Sequence, residues 1–597
     1  MKSLIVRIQE AAAGALQACY QVEAAPESLS VQETKKEFPG DYTLVTFPLS
    51  RYKLGAPEQV GQRLGEYLAG QGDLVAEFNV VKGFLNLSLA EAVWRAALAE
   101  MRAEGPAFLR NTLGAGQTVV VEYCSPNTNK PLHLGHVRNI VLGDSLTRIL
   151  DANGFRAVPV CLFNDRGTNI SKSMYAWQQA GRQDTPESAG KKGDKFVGDY
   201  YVQFKHLLEA ETEAGKALGL SEEAAEQQAP SMQAIREMTV RWEHNDPEIR
   251  ALWSRMNGWV YAAMQETFRR LHIEFDRYYY ESDIYHLGKE TVAEGLARGI
   301  FYAKPDGSVW IDLTGDGLDH KLVLRSDGTS VYITQDLAVA DAKYEDYRMD
   351  RSIFVVGNEQ EYHFKVLFLI LQKLGKPYAS HLFHLSYGMV ELPTGKMKTR
   401  EGTTVEADDL LDDMIATARQ YTSELGKTEG MSAEELEELY HTLGLSALKY
   451  FLVKVDPKKR MLFDPAESVD IHGHTGPFVQ YAYTRTAALR RKQEEIGVFD
   501  PAAQPEDPMH DHERSLLRLL ARYPDTLREA GELYNPALVA NYAYELAKEF
   551  NRFYHGDKIL QSARPLTSAF RYALAQQTGE VLREAFRLLG IGMPERM

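Results

Sequence analysis

A chain of 597 residues, 44% hydrophobic and 25% charged, has the composition of an ordinary soluble globular protein and the length for three or four domains. Its formal charge of -16 argues against a protein that coats nucleic acid nonspecifically, because that binding is driven by Lys and Arg, but it leaves room for local basic patches. Cys19, Cys124 and Cys161 are scattered singly, so neither a disulfide framework nor a cysteine zinc site is expected. With no signal-peptide pattern and no stretch approaching a membrane span, a cytoplasmic protein is the expectation.

The first 110 or so residues mix an amphipathic helix around Leu4 to Cys19 with short alternating segments, "YTLVTFPL" and "AEFNVVKGFLNLSL", as in a small α+β domain. From Val119 the pattern changes. "TVVVEY" reads as a buried strand, "HVRNIVLGDSLTRILDANG" as a helix stopped by Asn153-Gly154, and "FRAVPVCLFND" as a second strand, which together make a βαβ unit. A later unit, "RSIFVVGNEQEYHFKVLFLILQKLG", runs from strand into helix and precedes a possible strand in "HLSYGMVEL". An open parallel sheet with ligands at its carboxyl edge follows. Thr185 to Arg250 is acidic and reads as inserted helices, and nearly everything after Thr404 is helical in pattern, broken by the proline-rich "GVFDPAAQPEDP".

The stretch "NTNKPLHLGHVRN", Asn127 to Asn139, places His133 and His136 three residues apart on a strand-to-helix turn. A metal pair would need further ligands, and no cysteine cluster or HExxH lies nearby. Core or capping histidines are the bland alternative. The turn itself favours a third reading, since free backbone N–H groups and the helix dipole attract phosphate there. Gly135, lacking a side chain, would let a nucleotide approach the backbone.

"HLGH" after a strand resembles the HIGH motif of class I aminoacyl-tRNA synthetases, and "GKMKTREG", Gly395 to Gly402, resembles their KMSKS loop about 260 residues later. "VEYCSPNTNKPLHLGHVRN", "VYITQDLAVADAKYE", "GNEQEYHF" and "GPFVQYAYTR" narrow the resemblance to the arginyl-tRNA synthetase family, over almost the whole chain and most weakly in the acidic insert. The resemblance implies a multidomain α/β fold. A Rossmann-type parallel-sheet catalytic domain would occupy 113–404, with a helical insert at about 185–250. An N-terminal α+β tRNA-binding domain (1–112), a helical connection (405–470) and a C-terminal all-α anticodon-binding domain (471–597) would complete it.

The implied reaction activates L-arginine with ATP and passes it to the 3′-terminal adenosine of tRNA(Arg), with Mg²⁺ accompanying the nucleotide and a monomer acting alone. Matching positions place Glu122, Asn127, Tyr332, Asp336 and Gln360 around arginine. Carboxylates and acceptors suit a planar, always-charged guanidinium. A pocket built to bond such a donor rejects analogues lacking it by about 10⁴ to 10⁵, so no separate editing site is required. ATP is assigned to Lys130, His133, Gly135, His136, Met389 and Lys396, with His133, His136, Lys130, Lys396 and Lys398 as the catalytic set. No protein metal site is expected.

The second signature departs from its pattern: Lys396 and Met397 match, but Thr399 stands at the second lysine, with Lys398 one place earlier. Lys130 is the candidate substitute for the displaced cation. On the RNA side, "QYAYTRTAALRRK" interleaves Tyr481, Tyr483, Arg485, Arg490 and Arg491, a mixture suited to base stacking and phosphate contact. Leu538, Leu546, Phe550 and Phe553 of the following helical stretch are assigned to the core.

Overall fold

The computed structural model describes residues 3–181, 183–391, 405–425, 430–496, 507–561 and 563–597. Helix Leu4–Tyr20 buries Leu4, Ile8, Ala12, Ala15 and Leu16 on one stripe, the 3–4 spacing of a surface helix. Four antiparallel strands follow, in the spatial order Val31–Glu33, Tyr42–Val45, Phe84–Leu89 and Val75–Val81. Helix Pro57–Gln71 crosses this sheet closely. A side chain at Gly65 would collide with the Phe78 ring at 2.2 Å.

The central sheet has five parallel strands in the spatial order Leu382–Tyr387, Arg351–Gly357, Thr118–Glu122, Arg156–Phe163 and Arg277–Tyr280. Numbered along the chain this is 5-4-1-2-3, the doubly wound order of dinucleotide-binding folds. Successive strands run outward from Thr118–Glu122 to one side and then restart on the other. The crevice between Thr118–Glu122 and Arg351–Gly357 is therefore the switch point, where a ligand can enter without meeting a crossover.

Helix Leu134–Ala152 rises from that crevice. Val137, Ile140, Val141, Leu142, Leu146, Ile149 and Leu150 are all buried, because the sheet covers one face and the helices Ala433–Val453, Asp511–Glu532 and Pro565–Leu588 cover the other. Gly143 leaves room for the Tyr123 ring, and Gly154 takes φ +88° to end the helix. The long region between the second and third strands is helical: Thr168–Gln179, Gly193–Ala217, Glu222–Gln228, Pro230–Glu243 and Pro247–Arg270.

Two elements are not in the sequence reading. A three-stranded antiparallel sheet, Tyr302–Ala303, Val309–Ile311 and Lys321–Leu324, lies between the third strand's helix and helix Tyr332–Tyr347. Within the otherwise helical region after 404, Met461–Leu462 pairs with Val390–Glu391. Both escaped notice because strands of two to four residues carry too little alternation to read. No helix among the described residues is long and apolar enough to cross a membrane.

Candidate active site

At the end of Thr118–Glu122 the chain passes through Cys124 (φ 74°) and Ser125 (φ 33°), two consecutive non-glycine residues in the left-handed region. Such backbone costs about 1–3 kcal/mol per residue and must be held by its surroundings. Here Asn139 Oδ1 accepts from the Cys124 N–H at 2.6 Å, while Asn164 Nδ2 donates to Ser125 O at 3.0 Å. The strained bend turns the chain across the crevice to Lys130 and the histidines.

His133 is the N-cap of helix Leu134–Ala152. Its Nδ1 accepts from the Gly135 N–H at 3.1 Å, and its own N–H donates to His136 Nδ1 at 3.2 Å. The rings lie 3.9 Å apart. With both Nδ1 atoms occupied as acceptors, each neutral ring carries its proton on Nε2. Burial, with Lys130 adding to it, pushes His133 down to about 4; burial, then His133 and Lys130, hold His136 well below its ordinary value. Burial also lowers Lys130. The pair is thus a set of neutral Nε2–H donors at a helix N-terminus, unsuited to gripping a cation and suited to phosphate oxygens. Gly135 matters for a reason beyond ligand access: a Cβ there would press on the His133 ring at 3.0 Å.

Lys396 and Lys398, with Thr399, lie outside the described residues. The chain on either side of 392–404 reaches the same helix start. Val405 O accepts from the Leu134 N–H at 3.2 Å and the Ala407 N–H donates to Leu132 O at 2.9 Å; on the other side Met389 O accepts from Arg138 Nη1, on the first turns of that helix, at 3.3 Å. Lys195 pairs with Glu406 at 2.6 Å, and Lys192 and Arg270 with Asp408 at 2.6 and 2.8 Å, tying the inserted helices to the segment just after the lysines.

Across the crevice the groups are acidic. Asp336, on the first turns of Tyr332–Tyr347, is 2.5 Å from His363 Nε2. Glu281 opens the helix after the third strand, accepts from Gln335 Nε2 and lies 3.8 Å from Arg166 Nη1. Burial pushes Glu281 up to about 8, with Arg166 opposing and Asp165 and Asp336 adding to the rise. Asp165 is also raised by burial, against hydrogen bonds from Tyr261 and Ser282. Glu122 is held by the fully buried Lys343 at 2.7 Å. Asn127 pairs its backbone with Asn164, and Gln360 ends the short turn after Arg351–Gly357. Tyr332, 72% exposed, lines an open cleft of about 440 Å³ with Trp310, Lys321, Tyr362 and His363.

Domain-scale comparisons agree with this geometry. Residues 103–464 match the catalytic domain of the class I (R) tRNA synthetases, 479–597 the DALR anticodon binding domain, and 6–89 the arginyl tRNA synthetase N terminal domain. The chain belongs to the arginyl-tRNA synthetase family. It is 49% identical over 583 residues to the arginine–tRNA ligase of Bacteroides thetaiotaomicron (98% of each chain) and 50% identical over 580 residues to that of Parabacteroides distasonis (97% of each). The Thermus thermophilus arginyl-tRNA synthetase structure superposes with a TM-score of 0.78 at 25% identity, over 99% of each chain.

In the helical domain of this family member, Arg485 lies over the Tyr481 and Tyr554 rings, 4.7 and 4.9 Å from their centroids, and bonds Asn551 at 2.6 Å. Arg490 pairs with Glu595, and Arg491 donates to Glu595 O at 3.2 Å. Tyr483 is 3% exposed and donates to Glu595 at 2.8 Å, so it faces inward with Val479 and Ala487 of the same helix face and cannot stack on a base. Leu546, Phe550 and Phe553 are buried, and Leu538 packs partly against the same core. A His510–Glu513–Asp557 cluster has metal-like spacing, but the Arg571 guanidinium already sits against all three.

Sequence reasoning missed Glu281, Asp165, Lys343 and Arg138. Each is an ionisable residue whose burial depends on distant segments. The one available signal is for Glu281, an acid immediately after an aromatic strand run, "RYYYE", at the carboxyl edge of a sheet.

Proposed function

We infer that the chain catalyses the ATP-dependent ligation of L-arginine to the 3′-terminal adenosine of its tRNA, in two steps. The observation that carries this is the meeting of a neutral-imidazole turn and a carboxylate pocket at one sheet edge, in a chain of this family. The arginine carboxylate attacks the α-phosphorus of ATP and pyrophosphate leaves; a terminal ribose hydroxyl then attacks the arginyl carbonyl and AMP leaves. No covalent nucleophile on the protein is needed, because positioning and charge stabilisation suffice.

The His133 and His136 Nε2–H groups donate to the phosphate oxygens, with Lys130 meeting charge on the departing pyrophosphate. Asp336, Glu281 and Tyr332 receive the guanidinium; Asn127 and Gln360 hold the α-amino end, and Glu122 braces the pocket through Lys343. Mg²⁺ enters with the nucleotide as substrate. The turn offers imidazole, ammonium and N–H groups, a set for phosphate and not for a hard cation.

The cleft that holds Lys321 and the exposed Tyr362 ring suits the single-stranded tRNA end, since an exposed ring stacks on bases and a cation meets phosphate. Tyr481, Arg485 and Arg491 suit the anticodon arm. We place the enzyme in the cytoplasm as a 67.3 kDa monomer, which sedimentation velocity tests; a stable dimer would overturn that assignment. ATP–pyrophosphate exchange across the standard amino acids, with and without tRNA, tests the main reading. Exchange is expected with arginine alone and only when the cognate tRNA is present. Exchange with lysine or glutamate would refute it.

A further inference from the structure

Arg138 stands two residues after His136, on the first turns of helix Leu134–Ala152, and is wholly buried. Its Nη1 donates to Gly388 O at 2.5 Å and Met389 O at 3.3 Å, and its Nη2 donates to Pro457 O at 3.2 Å and Lys459 O at 3.0 Å. All four acceptors are main-chain carbonyls. Filling the space would need only an apolar side chain, and burying a cation is costly. What the planar fork adds is a simultaneous grip on two chain segments in fixed geometry.

Those two segments converge where Arg138 reaches them. The Gly388 N–H donates to Pro457 O at 2.9 Å, and a Cβ at Gly388 would strike the Lys459 backbone at 2.6 Å, so the segments touch closely only because residue 388 is glycine. From Gly388 the chain continues through Met389 into Val390–Glu391, paired with Met461–Leu462, and thence toward Lys396. The helix that presents the histidines therefore also grips, through Arg138, the stem leading to the lysine signature. Asn139, the next residue, holds the strained bend through Cys124 N–H, and its Nδ2 donates to Val355 O at 2.6 Å and Tyr387 Oη at 3.2 Å.

We propose that Arg138 is a positioning residue for adenylate formation, holding the Gly388–Glu391 stem in register with the His133–His136 turn. It touches no substrate. The proposal rests on reading that turn as the nucleotide site. Losing that register disturbs the turn proposed to act on ATP, and so pyrophosphate departure, which belongs to the first step alone; transfer to tRNA begins after pyrophosphate has gone. Loss of Arg138 therefore separates the two steps, whereas general loosening of the fold lowers both together.

The test measures both steps in Arg138→Lys and Arg138→Met: pyrophosphate exchange with tRNA present, and single-turnover transfer to tRNA from synthetic arginyl-adenylate. Arg138→Met is expected to lower the exchange kcat by about 10²-fold and Arg138→Lys by about 10-fold, since lysine keeps the charge but not the fork. The arginine KM and the transfer rate should stay within about twofold of the parent values. Leu150→Ala, at the far end of the same helix and scored by thermal unfolding, gives the contrast: a lower Tm with the ratio of the two rates unchanged. Should Arg138→Met not fold, the Arg138→Lys ratio decides. Equal losses in both steps, or normal exchange in both variants, would overturn the proposal. His133→Ala run in parallel separates the two ideas. Normal exchange in that variant would defeat the nucleotide reading of the turn, while a defective His133→Ala beside normal Arg138 variants would defeat only this inference.

Discussion

Between Asn127 and Asn139 one continuous stretch supplies the imidazoles, the lysine and the backbone donors, whereas the acidic pocket draws Glu122, Asp165, Glu281, Asp336 and Gln360 from well-separated segments of the chain. Burial acts on both ends and in opposite directions on their protons. It lowers Lys130 and both histidines, disfavouring their charged forms. It raises Asp165 and Glu281, disfavouring their ionised forms. Each end is left short of a counter-charge that water would otherwise have provided. On the proposed reading the substrates suit both ends: phosphates accept from the turn's N–H groups, and a guanidinium favours the ionised carboxyls of the pocket. Selectivity, on that reading, comes from desolvation arranged in advance at both ends.

The comparison breaks first at Lys130. Thr399 occupies the place of the second loop lysine, so charge on the leaving pyrophosphate must be met from elsewhere. Lys130 stands three residues before His133 on the same turn. Lys130→Ala should lower the kcat of arginyl-adenylate formation by about 10² to 10³, the range for a lost transition-state donor, with little change in arginine affinity. Adding Thr399→Lys to that variant should restore part of the rate if the two positions serve one phosphate. Pre-steady-state adenylate formation measures both. A normal kcat in Lys130→Ala would leave the lysine as a solvated neighbour of the turn and pass the role to Lys396 or Lys398.

At the other end, Asp336→Asn removes charge while keeping shape. A charged hydrogen bond in a half-buried pocket is then lost, and kcat/KM for arginine should fall by about 10². The rate with ATP at saturating arginine should fall less, because the nucleotide end is untouched. Steady-state kinetics over a wide arginine range separates the two quantities. Unchanged arginine kinetics would remove Asp336 from the guanidinium and leave it as the anchor of His363, 2.5 Å away.

How far the sequence could be read follows from the same contrast. His133, Gly135 and His136 are legible because the strand, the turn and the helix are consecutive, and local pattern is enough to place them on a helix N-terminus. The helix Leu134–Ala152 and its stop at Asn153-Gly154 are legible likewise. The strand order is not, since nothing local says that Arg351–Gly357 returns beside Thr118–Glu122. Nor is Glu281 legible as a pocket carboxylate, for its neighbours Gln335 and Arg166 come from other elements. Lys343 and Arg138 mislead by type: a charged residue in a helical pattern reads as a solvated face, yet both are wholly buried against partners far along the chain. Tyr483 misled in the opposite sense, its aromatic-basic surroundings hiding that position 483 points inward. Pattern reports what a residue's sequence neighbours allow; burial of charge is decided by strangers.

The finest distinction between the two ends is a proton. In the ligand-free pocket Glu281 is pushed up to about 8, first by burial and then by Asp165 and Asp336, with Arg166 opposing. At pH 7 the protonated form is therefore favoured. A guanidinium beside it favours the ionised form, so arginine binding expels that proton. The sign follows directly: affinity should rise, and KM fall, as pH climbs from about 7 through 8, by about tenfold in all, levelling off once the free carboxyl is ionised. His133, at about 4, is silent across this window and adds no slope of its own. Titration calorimetry at pH 7 in buffers of different ionisation enthalpy should show nearly one proton released per arginine bound. Glu281→Gln should abolish both the release and the slope while costing about tenfold in affinity, less than Asp336→Asn, because the lost partner was mostly neutral at the start. Binding without proton release would mean that Arg166, 3.8 Å away, already holds Glu281 ionised, and that Asp336 meets the guanidinium alone.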